Sequence, residues 1–114
     1  MYKRQHLSSA ITSHTQRFNE KPCGIWPAEG ALSTALLKIL AEQNCHWSAS
    51  GEGVLVNSLR TAYPDAPLLD RNSYLYHPYR IAGETEQVTC FFRDDHLSDL
   101  IGFEYSKWLS LIHI

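Results

Sequence analysis

Long hydrophobic runs are missing from this 114-residue chain: no stretch comes near the roughly 18 apolar residues that a membrane span requires. A basic start followed by an apolar middle, the mark of a secretory leader, is missing too. No membrane partner is therefore expected. Basic clusters are equally scarce, with 10 Lys and Arg against 12 Asp and Glu. No group of cations is left to neutralise a phosphate backbone, so nucleic acid is excluded as the expected partner. The three cysteines, Cys23, Cys45 and Cys90, are odd in number and far apart. They fit neither a disulfide framework nor a CxxC zinc site, and a reduced, cytoplasmic setting is expected. The histidines show no HxH or HExxH spacing, and GxSxG, P-loop and GxGxxG patterns are absent, so neither a metal nor another cofactor is expected.

What is present is enough apolar composition, 44%, for the core of one small domain or for a slice through a larger one. The two ends complicate the length. One codon choice for the closing LSLIHI, read on the opposite strand from a GTG start, gives the opening MYKRQ. That shared DNA looks like the mosaic end of transposase-based sequencing libraries. Residues 1–5 and 109–114 are therefore expected to be adapter-derived tails around a genuine segment 6–108. Without Lys3 and Arg4, 8 basic residues face 12 acids, a net charge of −4.

Along that segment the pattern alternates. Leu7, Ile11, Thr15 and Phe18 mark a helix over 7–18. CGIW (23–26), bounded by Pro22 and Pro27, reads as a buried strand. Residues 31–44 place Leu32, Leu36, Ile39 and Leu40 on one helical face, with Ser33 as N-cap. CHWSAS (45–50) is a second strand, 51–60 a short helix, and 61–73 a loop rich in turn residues. YLYHPYRI (74–81) is expected to be irregular and site-facing. QVTCFFRD (87–94) is a third strand, and 96–108 a last helix carrying Leu97, Leu100, Ile101, Tyr105 and Trp108 on one face. Such alternation predicts an α/β fold with parallel strands and outer helices, either an open sheet or an arc of a barrel.

In these folds chemistry gathers at the carboxyl ends of strands. Glu29 follows the first, Glu52 the second, and Arg93 with Asp94 close the third. Glu29 alone reads as a charge at a helix start. Trp26 and Pro27 change its setting, since an aromatic wall beside a carboxylate suits a sugar face. Asp95 is expected to cap the last helix, and Asp94 to be the functional acid, ionised if Arg93 pairs with it. His77 is either a loop polar group or a substrate contact.

Taken together, GIWPAEGALSTALLKILAEQNCHWSASGEGVLVNSL and LYHPYRI…FFRDDHLSDLIGFEYSKW resemble glycoside hydrolase family 57, which includes α-amylases, amylopullulanases and 4-α-glucanotransferases. The resemblance implies an incomplete (β/α)7 barrel, an α-glucan or oligosaccharide substrate and a retaining mechanism. It makes Glu29, in Trp26-Pro27-Ala28-Glu29, the nucleophile, and puts Trp26, Glu52, His77, Arg93 and Asp94 near the sugar. The family's acid/base Asp is expected beyond Trp108 and its HQP motif upstream of His6, so the chain is read as an internal fragment, inactive alone. Family members often carry Asp where this chain has Gly51. A different class of function, a non-catalytic carbohydrate-binding or structural α/β remnant, stands as the alternative.

Overall fold

The computed structural model describes residues 2–67, 70–82 and 87–108. They form two compact units, Met1–Ser50 with Pro78–Phe91, and Gly51–His77 with Phe92–Ile114.

The first unit opens with helix α1, Tyr2–Phe18. It is longer than its apolar spacing suggests, because Tyr2 to Gln5 continue the same helix and Arg4 pairs with Glu42 at 2.7 Å across exposed surface. Leu7 is its buried residue, whereas Phe18, expected on the same face, is exposed. Asn19, at φ 55°, ends the helix in the left-handed conformation that asparagine tolerates. Strand β1 is only Gly24–Ile25, and Trp26 lies outside it. Helix α2, Thr34–Glu42, begins as expected at Ser33, whose hydroxyl accepts the Leu36 N–H at 3.3 Å. It buries Leu37 and Leu40 and is followed by Asn44 at φ 60°.

Strand β2, Trp47–Gly51, pairs in parallel with β1, Gly24 opposite Trp47 and Ile25 opposite Ser48. Gly24 is required there: a Cβ would sit 2.0 Å from the Trp47 ring. Strand β3, Tyr79–Ala82, and strand β4, Gln87–Arg93, pair antiparallel, Tyr79 opposite Cys90. The sheet order is β1-β2-β4-β3. It is a mixed sheet, consistent with a partial arc of an α/β barrel and not with a closed one.

The antiparallel strand corrects the expectation of parallel strands alone, and it lies in the segment expected to be irregular. Two facts of the chain explain it. The connection from Ala82 to Gln87 is too short for a parallel crossover, which needs a dozen residues or more. Pro78 immediately precedes an edge strand, where a missing N–H is tolerated. Cys45, Ala49, Val88 and Cys90 complete the buried apolar set of this unit. Burial pushes the Cys45 and Cys90 thiols above their ordinary pKa, which keeps them protonated.

The second unit contains helix α3, Glu52–Ala62, helix α4, Arg71–Tyr74, and helix α5, Asp95–Asp99. Leu55 and Leu75 are its buried apolar residues. The single helix expected over 96–108 is broken: α5 passes into a π-turn at Leu100–Glu104 and a 3₁₀ turn at Tyr105–Lys107. Gly102 weakens that stretch, and Leu97, Ile101, Phe103 and Trp108 are exposed. Without burial of the apolar stripe, little holds one helical register. The expectation for 109–114 lies outside the described residues. Among the described residues no helix is long and apolar enough to cross a membrane.

Candidate functional site

In the first unit the chain leaves β1 through Trp26, which is 49% exposed, and Pro27, which is buried. Pro27 at φ −65° sets the entry to a tight turn over Ala28–Gly30, closed by Gly30 N–H to Pro27 O at 3.0 Å and Ala31 N–H to Ala28 O at 3.1 Å. Within that turn Glu29 has φ 55° and Gly30 φ 63°. Gly30 takes the left-handed conformation without a Cβ penalty; for Glu29 the same conformation costs roughly 1 kcal/mol. The Glu29 side chain is exposed, with no hydrogen-bond or ion-pair partner among the described residues.

Two buried serines of β2 brace this region. Ser48 Oγ donates to Ile25 O at 2.9 Å, and Ser50 Oγ to Gly30 O at 2.5 Å. Both serines are fully buried, and Gly30, whose carbonyl Ser50 holds, is buried as well. Ser50→Ala is expected to leave the buried Gly30 carbonyl unpaired and to lower stability by about 1–3 kcal/mol, read as a reduced urea midpoint. An unchanged midpoint would mean that Ser50 does not hold the turn.

The second unit holds the other candidates. Glu52 opens α3, Arg71 opens α4, and Asp94 is the N-cap of α5, accepting the Leu97 N–H at 2.9 Å. Arg71 joins the two acids. Its Nε and Nη2 donate to Glu52 Oε1 and Oε2, each at 2.6 Å, and Nη2 also lies 2.7 Å from Asp94 Oδ1. Tyr76 Oη donates to Asp94 Oδ2 at 2.5 Å. The electrostatics follow from these contacts. Hydrogen bonds from Arg71, then Tyr76 and the Leu97 N–H, hold the Asp94 carboxyl well below the usual carboxylate range. Arg71 likewise lowers Glu52, chiefly through its hydrogen bonds. Asp94 in turn pushes the Tyr76 phenol upward. At neutral pH both acids are therefore carboxylates, able to accept hydrogen bonds and unable to donate a proton.

Several expectations are redistributed by this geometry. Asp94 is ionised as foreseen, and the guanidinium that keeps it so is that of Arg71. Arg93 donates from Nε to Asp95 Oδ1 at 3.0 Å, an exposed pair of small energetic weight. Asp94 takes the capping role expected of Asp95. Asp95 instead accepts the Gly53 N–H at 3.3 Å, which satisfies a free donor at the start of α3. His77 is exposed and makes no hydrogen bond among the described residues. Arg71 and Tyr76 were not singled out by sequence reasoning. Arg71 falls in a segment read as loop, and its partners are 19 and 23 residues away, beyond any local signal. Among the described residues no group of three or more His, Cys, Asp or Glu is placed to hold a metal ion.

Comparison with known proteins adds the context of a family. The sequence model of glycosyl hydrolase family 57 matches residues 2–113. Among solved structures the chain is similar to the 4-alpha-glucanotransferase from Thermococcus litoralis, with a TM-score of 0.62 and 21% identity. The likeness covers 83% of this chain and 14% of that enzyme, and at such identity it is a likeness of fold. No curated protein matches the chain.

Proposed function

The chain belongs to glycosyl hydrolase family 57, and from that premise we propose that it is the nucleophile-bearing section of a retaining glycoside hydrolase or glucanotransferase acting on α-glucans. The observation that best supports this reading is the backbone of Glu29. Three non-glycine residues among those described have positive φ. Asn19 and Asn44 end helices, where asparagine in this conformation is ordinary. Glu29 ends none, and its side chain has no bond that compensates the strain. Strain of this kind persists where surrounding structure imposes it and gathers at functional sites. Here Pro27 and the Ser50 brace impose it, and the result is a solvent-facing carboxylate three residues from a half-exposed indole.

A retaining glycosidase needs two carboxyl groups about 5–5.5 Å apart. One attacks the anomeric carbon and forms a glycosyl-enzyme, while the other protonates the departing oxygen and then activates water. Glu29 is proposed for the attack. Glu52 and Asp94 are held ionised by Arg71 and are poor proton donors, so the acid/base is proposed to come from another part of the full-length enzyme. Glu52 and Asp94, with Trp26, His77 and Arg93, are assigned to the surroundings of the sugar. Residues 1–5 and 109–114 are proposed to be adapter-derived. A cytoplasmic setting suits the three free thiols.

The test is stereochemical. Proton NMR of the first product formed by the full-length enzyme from a maltooligosaccharide is expected to show retained anomeric configuration, and the purified 114-residue chain is expected to release no reducing sugar. An inverted first product overturns the retaining reading; release of sugar by the chain alone overturns the assignment of the acid/base elsewhere.

A further inference from the structure

The two carboxylates of the second unit are covered by their own partners. The Asp94 side chain is 7% exposed and that of Glu52 16%. Both Glu52 oxygens accept from Arg71, and the Asp94 oxygens accept from Arg71, Tyr76 and the Leu97 N–H. What the cluster presents to solvent is the Arg71 side chain, 37% exposed, and Tyr76, 55% exposed. A guanidinium carries five N–H donors. Three of those on Arg71 are engaged, one on Nε and two on Nη2, so the pair on Nη1 has no protein acceptor among the described residues.

We propose that Arg71 and Tyr76 are the sugar-contacting residues of this unit, and that Glu52 and Asp94 serve as their anchors. The proposal rests on the reading that the enzyme acts on α-glucans and changes which side chains meet the glucan. Bidentate pairing with Glu52 fixes the plane of the guanidinium and therefore the direction of the Nη1 donors, which a flexible lysine could not do. Tyr76 is fixed through its hydroxyl on Asp94, and more than half of its surface stays open for the apolar face of a sugar ring. Charge selects the class of ligand. Two carboxylates and one guanidinium leave the cluster net negative, and the Arg93–Asp95 pair adds nothing. A phosphate or carboxylate ligand is disfavoured despite the exposed arginine, whereas hydroxyl and ring oxygens of a neutral sugar suit the two free donors.

The experiment uses the isotopically labelled 114-residue chain titrated with maltotriose and, separately, with inorganic phosphate, following the Arg71 Nε–H and Tyr76 ring signals by NMR. Maltotriose is expected to shift both signals saturably and phosphate neither. Arg71→Lys keeps a cation between the acids and lacks the fork; it is expected to weaken binding about five- to tenfold, the effect of losing one ordinary hydrogen bond. Tyr76→Ala is expected to lose a similar factor, and Tyr76→Phe, which keeps the ring, to regain most of it. If Arg71→Lys loses its native circular dichroism, the contrast between the two Tyr76 variants decides. Saturable shifts confined to other residues overturn the proposal and leave the glucan reading intact. Phosphate shifting Arg71 in place of maltotriose overturns the choice of ligand. No shift anywhere with maltotriose overturns both.

Discussion

Replacing Glu29 by alanine in the full-length enzyme is expected to lower kcat on maltooligosaccharides by at least about 10⁴-fold, the scale on which removal of a nucleophile acts. Azide is expected to restore part of the turnover. The gap left by the side chain admits a small anion, which attacks the anomeric carbon from the nucleophile's side and leaves a glycosyl azide of inverted configuration. Glu29→Gly separates chemistry from folding. It should be as inactive as the alanine variant, yet no less stable than the parent, because glycine adopts φ 55° without the penalty that glutamate bears there. Were Glu29 only a charge near a helix start, either change would cost about 1 kcal/mol or less of stability and leave turnover close to normal.

The second large effect concerns Arg71. Arg71→Gln removes the cation that pairs with two neighbouring carboxylates, Glu52 and Asp94, and the pH dependence of stability should change sign. In the parent chain, Glu52 and Asp94 have pKa values below those of the unfolded state. Their contribution is therefore fully present above the ordinary carboxylate range, near pH 4, and disappears as pH falls through the lowered values. Without the guanidinium, two like charges face each other and their pKa values rise. Stability should then increase as pH falls from neutral toward 4.5, because protonation relieves the repulsion. Thermal unfolding followed by circular dichroism reads this directly. The variant should melt roughly 5 °C or more below the parent at pH 7 and recover part of that deficit at pH 4.5. Parallel melting temperatures at both pH values would show that Arg71 does not govern the ionisation of the pair.

The elements that could be read from the sequence were those with a local cause. Ser33 capped its helix because a serine at a helix start has a partner three residues on, at Leu36. β4 was legible from its β-branched and aromatic run, and the placement of Glu29 just past a strand needed only the Trp-Pro boundary. Failures had distant causes. β3 forms because a short connection folds it back onto β4, and nothing within YLYHPYRI announces such pairing. Helix 96–108 had the right period, yet Leu97, Ile101 and Trp108 are exposed and the α-helix gives way to a π-turn from Leu100. In the candidate site the aromatic segment 74–81 reads from its composition as site-facing, with His77 as the candidate contact. His77 was chosen where the structure engages Tyr76, because only Tyr76 reaches Asp94. Arg71 escaped altogether: its importance lies in contacts with Glu52 and Asp94, which no spacing rule connects. The left-handed backbone of Glu29 was equally invisible, since glutamate gives no sign of positive φ.

Central to the account is a covalent bond between Glu29 and a sugar. The full-length enzyme can be inactivated with a fluorinated maltosyl fluoride, whose intermediate forms faster than water removes it, then digested and examined by peptide mass spectrometry. The predicted result is a single glycosyl adduct in the peptide that carries Trp26 to Gly30, with fragmentation placing it on Glu29. A glycosyl adduct on another carboxylate, with Glu29 unmodified in fully inactivated enzyme, would contradict the account.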